Sequence, residues 1–355
     1  MTHKPLLKAL PLAALVFVTL GLSALGLNAC SSKPAEDTKG VRTDITFAVL
    51  SVEQSQNLEK LWSPLFADME KQTGLKVKPF YSSSYTSLIE AMRFNQVQVA
   101  WYSNASGLEA MRRAEGEVFV HTTYPDGAEG YKSIIIVPKD SKLSVADIVK
   151  CDHKLNFGMG DVKSTSGTIA PMAYLFLPNH VDPNTCFRNV RSASHQANIE
   201  AVAAGILDAA TNNSTAMLEL HDTVPDKFAK IKTIWESPTL PTDVVEYRKD
   251  LDPATKEKLR SFFLSYGTGS GPEADRQRGV LAALYWGPLK PDDNTHFLPE
   301  RLMEASVALQ KATQAKDVGG IAKANAEIAE VKKEQAILAA KSVPQASADQ
   351  PTSAQ

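Results

Sequence analysis

Cysteine is scarce, with three in 355 residues, so the chain is not a disulfide scaffold. Neither sign of charge predominates: 38 Lys plus Arg stand against 40 Asp plus Glu, and a nucleic-acid partner, which demands a basic face, is excluded. No C-x-x-C, H-E-x-x-H or G-x-x-x-x-G-K-[ST] occurs. A structural zinc, a zinc hydrolase and a Walker nucleotide site are therefore without support, and the reading expects no metal and no cofactor. No glycine period marks a fibre. What is present is 43% hydrophobic and 22% charged, too apolar and too evenly charged for disorder. The length suits two domains of about 150 residues.

One long apolar run does occur, at the start. Lys4 and Lys8 precede a mostly apolar stretch from Ala9 to Leu27, the pattern of an export signal. It closes on Leu27-Asn28-Ala29-Cys30, which resembles a bacterial lipobox, where the cysteine carries lipid and becomes the mature N-terminus. A plain transmembrane anchor is the alternative, because the run approaches the ~20 residues that span a bilayer. The reading adopted is a signal peptide over 1–29, a lipid-anchored tether over 30–40, and a body in the periplasm or on the outer face of the cytoplasmic membrane, held through Cys30. Without the leader, 36 basic against 40 acidic residues leave about −4. An exported body meets an oxidising compartment, so Cys151 and Cys186 are expected to pair, with two separate buried thiols as the alternative.

Strand-like runs at Ile45–Leu50, Lys76–Tyr81, Val97–Tyr102, Val118–Tyr124 and Ser133–Val137 alternate with amphipathic stretches over Gln56–Gln72, Tyr85–Phe94 and Gly107–Ala114. Past Pro138 the α/β rhythm resumes: helical Val145–Val149, a strand at Leu155–Gly158, helices over Thr165–Phe176 and Gln196–Ala204, and strand-like Ala229–Trp235. From Ser261 the pattern turns helical, ending in the Ala/Glu/Lys-rich run Ile321–Ala340. The expected organisation is lobe 1 over 41–136 and 245–341, lobe 2 over 137–244, and a disordered tail over 342–355.

Chemistry concentrates in Gly160-Asp161-Val162-Lys163-Ser164-Thr165-Ser166-Gly167, after one apolar strand and before an apolar helix. The first amides of a helix lack internal partners and carry the positive end of its dipole, so three adjacent hydroxyls can complete a cradle for a tetrahedral oxyanion. Ordinary capping by Ser164 or Thr165 is the competing use, but one cap needs one hydroxyl. Gly167 would let a ligand approach the backbone. Gly267-Thr268-Gly269-Ser270-Gly271 lacks the register of a nucleophile elbow and reads as a flexible turn. No histidine forms a triad order with a strained serine, so no enzyme is expected. Tyr85, after three serines, and Tyr131 stand near strand ends, where open α/β sheets bind ligands.

Ser55-Gln56-Asn57-Leu58, Met92-Arg93-Phe94-Asn95, Val99-Ala100-Trp101-Tyr102, Gly130-Tyr131, the Ser164-Thr165-Ser166-Gly167 segment, Ser194-His195-Gln196-Ala197-Asn198, Ala210-Thr211-Asn212-Asn213 and Trp235-Glu236-Ser237-Pro238 together resemble the phosphonate-binding proteins of ABC importers. The resemblance implies an α/β, two-lobed type II periplasmic-binding-protein fold with a ligand cleft between the lobes and a helical C-terminal extension. It implies phosphonate oxygens held by Ser164, Thr165, Ser166 and His195, a cleft lined by Tyr85 and Tyr131, and an aminoalkyl ammonium received by two carboxylates. One of those matches Asp243, while the other position holds Thr215. The implied partners are a small phosphonate or related phosphorus oxyanion and an ABC permease with its ATPase. The expected receptor is a monomer that touches the membrane through its lipid only.

Overall fold

The computed structural model describes residues 42–50 and 58–342. The signal peptide, Cys30, the tether, Ser55-Gln56-Asn57 and the tail from 343 lie outside the described residues. Among the described residues, no helix is long and apolar enough to cross a membrane.

Two sheets carry the chain. The first runs β13-β4-β12-β3-β1-β2, built from β1 (Asp44–Leu50), β2 (Lys76–Ser82), β3 (Val99–Tyr102), β4 (Gly116–Thr123), β12 (Val244–Arg248) and β13 (Gly287–Pro291). The second runs β10-β6-β9-β7-β8, from β6 (Ser133–Pro138), β7 (Asn156–Met159), β8 (Asn189–Ser192), β9 (Ala209–Asn213) and β10 (Ile231–Glu236). β1–β2, β1–β3, β7–β8 and β7–β9 pair in parallel, and the inner strands β1, β3, β7 and β9 are mostly buried, whereas the edge strands β2 and β8 are largely exposed. Along β1, Phe47 and Val49 join one core with Trp62, Leu65, Met69 and Phe263. Ala48 and Leu50 point the other way, onto Leu88, Ile89, Met92 and Tyr102. In β6 the same period of two sends Ile135 and Val137 to one side and Ile134 and Ile136 to the other.

The chain passes between the sheets twice, and the two passes pair. β5 (Gly130–Tyr131), between β4 and β6, lies antiparallel to β11 (Leu240–Pro241), between β10 and β12. This two-stranded ribbon needs a glycine, because a Cβ on Gly130 would overlap Thr239 Cγ2 and crowd the Leu240 carbonyl. Residues 133–136, given to lobe 1 by the sequence reading, form most of β6 in the second sheet.

Helix Leu298–Gln314 touches both sides. Its Met303 packs with Tyr131, Ala170 and Leu240, while Glu304 pairs with Arg112 at 2.6 Å. Helix Val318–Ser342 folds back on it and is latched by Arg301 to Glu327 and Glu334 at 2.8 and 2.9 Å. Cys151 and Cys186 are joined by a disulfide that ties the turn before β7 to the short helix Pro183–Cys186.

Candidate functional site

The helix after β7 is unusually wide. Ile169 N and Ala170 N reach back five residues, to Ser164 O and Thr165 O, the π-type spacing that recurs at functional sites. Pro171 supplies a cause: it has no N–H to offer the Gly167 carbonyl four residues back. That carbonyl instead accepts from Gly160 N at 2.9 Å and Thr211 Oγ1 at 2.8 Å. Gly160 and Gly167 lie so close that a Cβ on either would strike the other's backbone. Gly167 therefore serves loop-to-helix packing, a correction to its reading as a gap left for a ligand.

A cavity of about 80 Å³ opens at this helix start, room for on the order of six water-sized atoms. Ser164 and Ser166 line it from the second sheet's side, together with His195. Ser164 Oγ caps the helix, accepting from Gly167 N at 3.0 Å. Ser166 Oγ stands 3.5 Å from His195 Nε2, and its carbonyl accepts from Ser133 Oγ at 2.6 Å.

Thr165 departs from the expected set. Its hydroxyl accepts from Ala105 N at 2.7 Å, on helix Asn104–Arg113 beside the first sheet, and it does not line the cavity. Its side chain is directed toward that helix, while those of Ser164 and Ser166 line the cavity.

His195 opens helix His195–Ala203, but the capping oxygen belongs to Ser194, which accepts from Ala197 N at 3.2 Å. The ring is left to the cavity, with Nδ1 buried and without a hydrogen-bond partner. Burial holds its pKa down at about 4, so the ring is neutral near pH 7. The Asn212 side chain fixes the start of this helix by donating to the His195 carbonyl at 2.9 Å.

From the other side come Tyr85, Trp101, Thr122, Asp243 and Trp286. Tyr85 starts helix Tyr85–Arg93, which Ser84 caps. Asp243 sits in the step from β11 to β12, its carbonyl held by Thr122 N at 2.9 Å. Tyr131 is buried, and burial, then the Asp243 charge, drives its phenol well above the usual range. The position expected to carry a second acid, Thr215, is hydrogen-bonded to the Tyr124 hydroxyl. The sequence reading missed Glu219, which lies one turn along helix Ser214–Thr223 and also lines the cavity. No Lys or Arg is among the described lining residues.

A sequence model of a family described as "ABC transporter, phosphonate, periplasmic substrate-binding protein" matches residues 47–297. The chain belongs to that family. The phosphonates-binding periplasmic protein of Escherichia coli (strain K12) is 38% identical over 258 residues, 72% of this chain and 75% of that one. A phosphate-import protein of Mycolicibacterium smegmatis is 28% identical over 257 residues, 68% of this chain and 78% of that one. Among solved structures, a binding-protein component of an ABC phosphonate transporter from Pseudomonas aeruginosa superposes with a TM-score of 0.79 at 37% identity, covering 84% of this chain and 99% of that one.

The fold is the expected type II periplasmic-binding fold, and the chain is the periplasmic phosphonate-binding component of an ABC importer. The relatives that decide this are transport receptors rather than enzymes. The family match ends at 297, so helices Leu298–Gln314 and Val318–Ser342 lie beyond it.

Proposed function

We propose that a small phosphonate lies in the 80 Å³ cavity, its oxygens toward Ser164, Ser166, the opening amides of the wide helix and His195. Thr165 contributes its backbone amide, and its hydroxyl ties the two sides together. Neutral donors hold the dianion, as oriented dipoles do in a dry site. The same lining holds Asp243 and Glu219 together with Tyr85 and Tyr131, which favours an aminoalkyl phosphonate over a simple one. The observation that carries this reading is the composition of the cavity: serine hydroxyls and a neutral imidazole share its lining with two carboxylates, Asp243 and Glu219.

The two lobes close about the β5–β11 ribbon, and the closed form is handed to a permease with its ATPase. Cys30 anchors a monomeric receptor to the membrane by lipid. Capture proceeds without chemistry, so chromogenic phosphate and phosphonate esters are expected to show no turnover above buffer.

Calorimetric titration tests the ligand. 2-Aminoethylphosphonate is expected to bind more tightly than methylphosphonate, phosphate, phosphite or sulfate. Ser166→Ala should weaken it about tenfold to a hundredfold, the cost of a hydrogen bond to a charged group. Glu219→Gln should weaken the amino ligand and spare methylphosphonate. Unchanged affinity in Ser166→Ala would put the cradle elsewhere. Phosphate is the second reading, favoured by Thr215 where an acid is expected and by the phosphate-import relative. It predicts phosphate ahead of every aminoalkyl ligand.

A further inference from the structure

Next to the cavity lining, on β4 and the segment after β13, two histidines and an aspartate converge. His121 is 8% exposed, and its Nδ1 lies 2.6 Å from Asp292 Oδ2. His296 Nδ1 lies 2.6 Å from the same oxygen, and the three ligand atoms sit within 4.8 Å of one another. The outer nitrogens are also engaged. His121 Nε2 is 3.1 Å from Glu129 Oε2, and His296 Nε2 is 2.9 Å from the Thr242 carbonyl.

All four ring nitrogens thus face oxygens that accept. A neutral imidazole brings one N–H, and in the tautomer that places it on Nε2, Glu129 and the Thr242 carbonyl accept it and each Nδ1 is left to ligate. The two Nδ1 atoms then converge on one carboxylate oxygen of Asp292, each 2.6 Å from it.

We propose that His121 Nδ1, His296 Nδ1 and an Asp292 oxygen bind a divalent transition-metal ion, Zn2+ foremost, with solvent in the fourth position. Two imidazoles and a carboxylate are a zinc donor set. Ligating histidines almost always donate their second N–H to a carboxylate or carbonyl, the roles of Glu129 and Thr242 here. Bonds of about 2.1 Å set tetrahedral ligand atoms roughly 3.4 Å apart, so the Asp292 side chain must swing outward by under an ångström. Its side chain is 19% exposed, so the movement is toward solvent. The ion would clasp β4, the turn after β13 and, through the Thr242 carbonyl, the step that carries Asp243. No spacing motif announces it, because β4–β13 pairing brings His121 beside Asp292 and His296 from far along the chain.

The tag-free full chain, stripped with EDTA, is titrated with Zn2+ by calorimetry and with Co2+ by absorption spectroscopy. Expected are one Zn2+ per chain, Co2+ ligand-field bands of tetrahedral intensity, and a raised Tm on Zn2+ addition. His121→Gln and His296→Gln should each weaken Zn2+ at least tenfold. Glu129→Gln, which leaves all three ligands, should weaken it about ten- to a hundredfold, and His221→Gln should leave it unchanged. Absence of saturable Zn2+ binding, or equal affinity in the folded His121→Gln/His296→Gln double variant, overturns the proposal. Should that variant fail to fold, the wild-type Co2+ spectrum decides, and octahedral or absent bands overturn it.

Discussion

Glu300 stands behind the anion cradle, 2% exposed and facing the Thr165 hydroxyl. Burial, then the charge of Glu304, pushes its carboxyl up to about 8, with Thr165 and Arg112 offsetting only part. In the folded protein it keeps its proton up to about pH 8, whereas the unfolded chain releases it near 4.5. The folded state binds more protons in that window, so stability contributed by this group is fully present below about pH 4.5 and is lost as pH rises toward 8. The slope is on the order of 1.4 kcal/mol per pH unit. Glu300→Gln, which imitates the protonated acid, should flatten the denaturant-unfolding profile between pH 5 and 8 relative to wild type. Superimposable profiles would refute it. His195 has the opposite sign: its pKa is lowered from 6.5 to about 4, so its part of the stability is lost as pH falls through that interval. Of the residues singled out in the sequence, Ser164, Ser166, His195, Tyr85, Tyr131 and Asp243 meet in one cavity. Hydroxyls, a ring and a carboxylate are legible by type. Which side of a wide helix each one occupies is not, and Thr165 turned away for that reason.

Elements with alternating or three-and-four-spaced apolar residues were readable, and β1, β2, β6 and the helices Leu58–Thr73 and Tyr85–Arg93 lie within a few residues of expectation. β9 was not. Its Ala209-Ala210-Thr211-Asn212-Asn213 is buried throughout, yet three of its five side chains are polar, and the sequence reading placed no strand there. They are accommodated because each finds a backbone partner, as Thr211 does with Gly167 and Asn212 with His195. β12 and β13 escaped notice because charge and proline break their pattern while pairing across the sheet supplies the stability. The β5–β11 ribbon is the shortest element and the most exacting. Gly130→Ala must push Thr239 aside, and we expect a loss of about 1–3 kcal/mol in chemical denaturation, together with slower fluorescence-detected closure on ligand. A variant as stable as wild type would show that the ribbon tolerates a side chain.

Across the whole molecule, the disulfide is the one covalent tie between described elements far apart in sequence. It closes a loop spanning 35 positions around β7 and the wide helix, and by loop-closure reasoning it stabilises by about 2–4 kcal/mol. Cys151→Ser/Cys186→Ser should lower the unfolding midpoint accordingly, and the reduced wild type should match it. Because β7 leads into the cradle, ligand affinity should fall less than stability, a split that paired calorimetry and melting would register. The two-sheet plan was legible in the order of strands and helices. The helix Leu298–Gln314 leaning on both sides was not, since its apolar residues do not say which partner they meet.

That no lysine or arginine is among the cavity's described lining residues reaches beyond recognition. A guest secured by net opposite charge is drawn in from afar in fresh water, starved of that pull in brine, and reluctant to leave. One secured by aligned dipoles feels little until it arrives and is freed once the walls part. Such a receptor scavenges at much the same rate whatever the salinity outside, and surrenders its cargo without needing a competing anion.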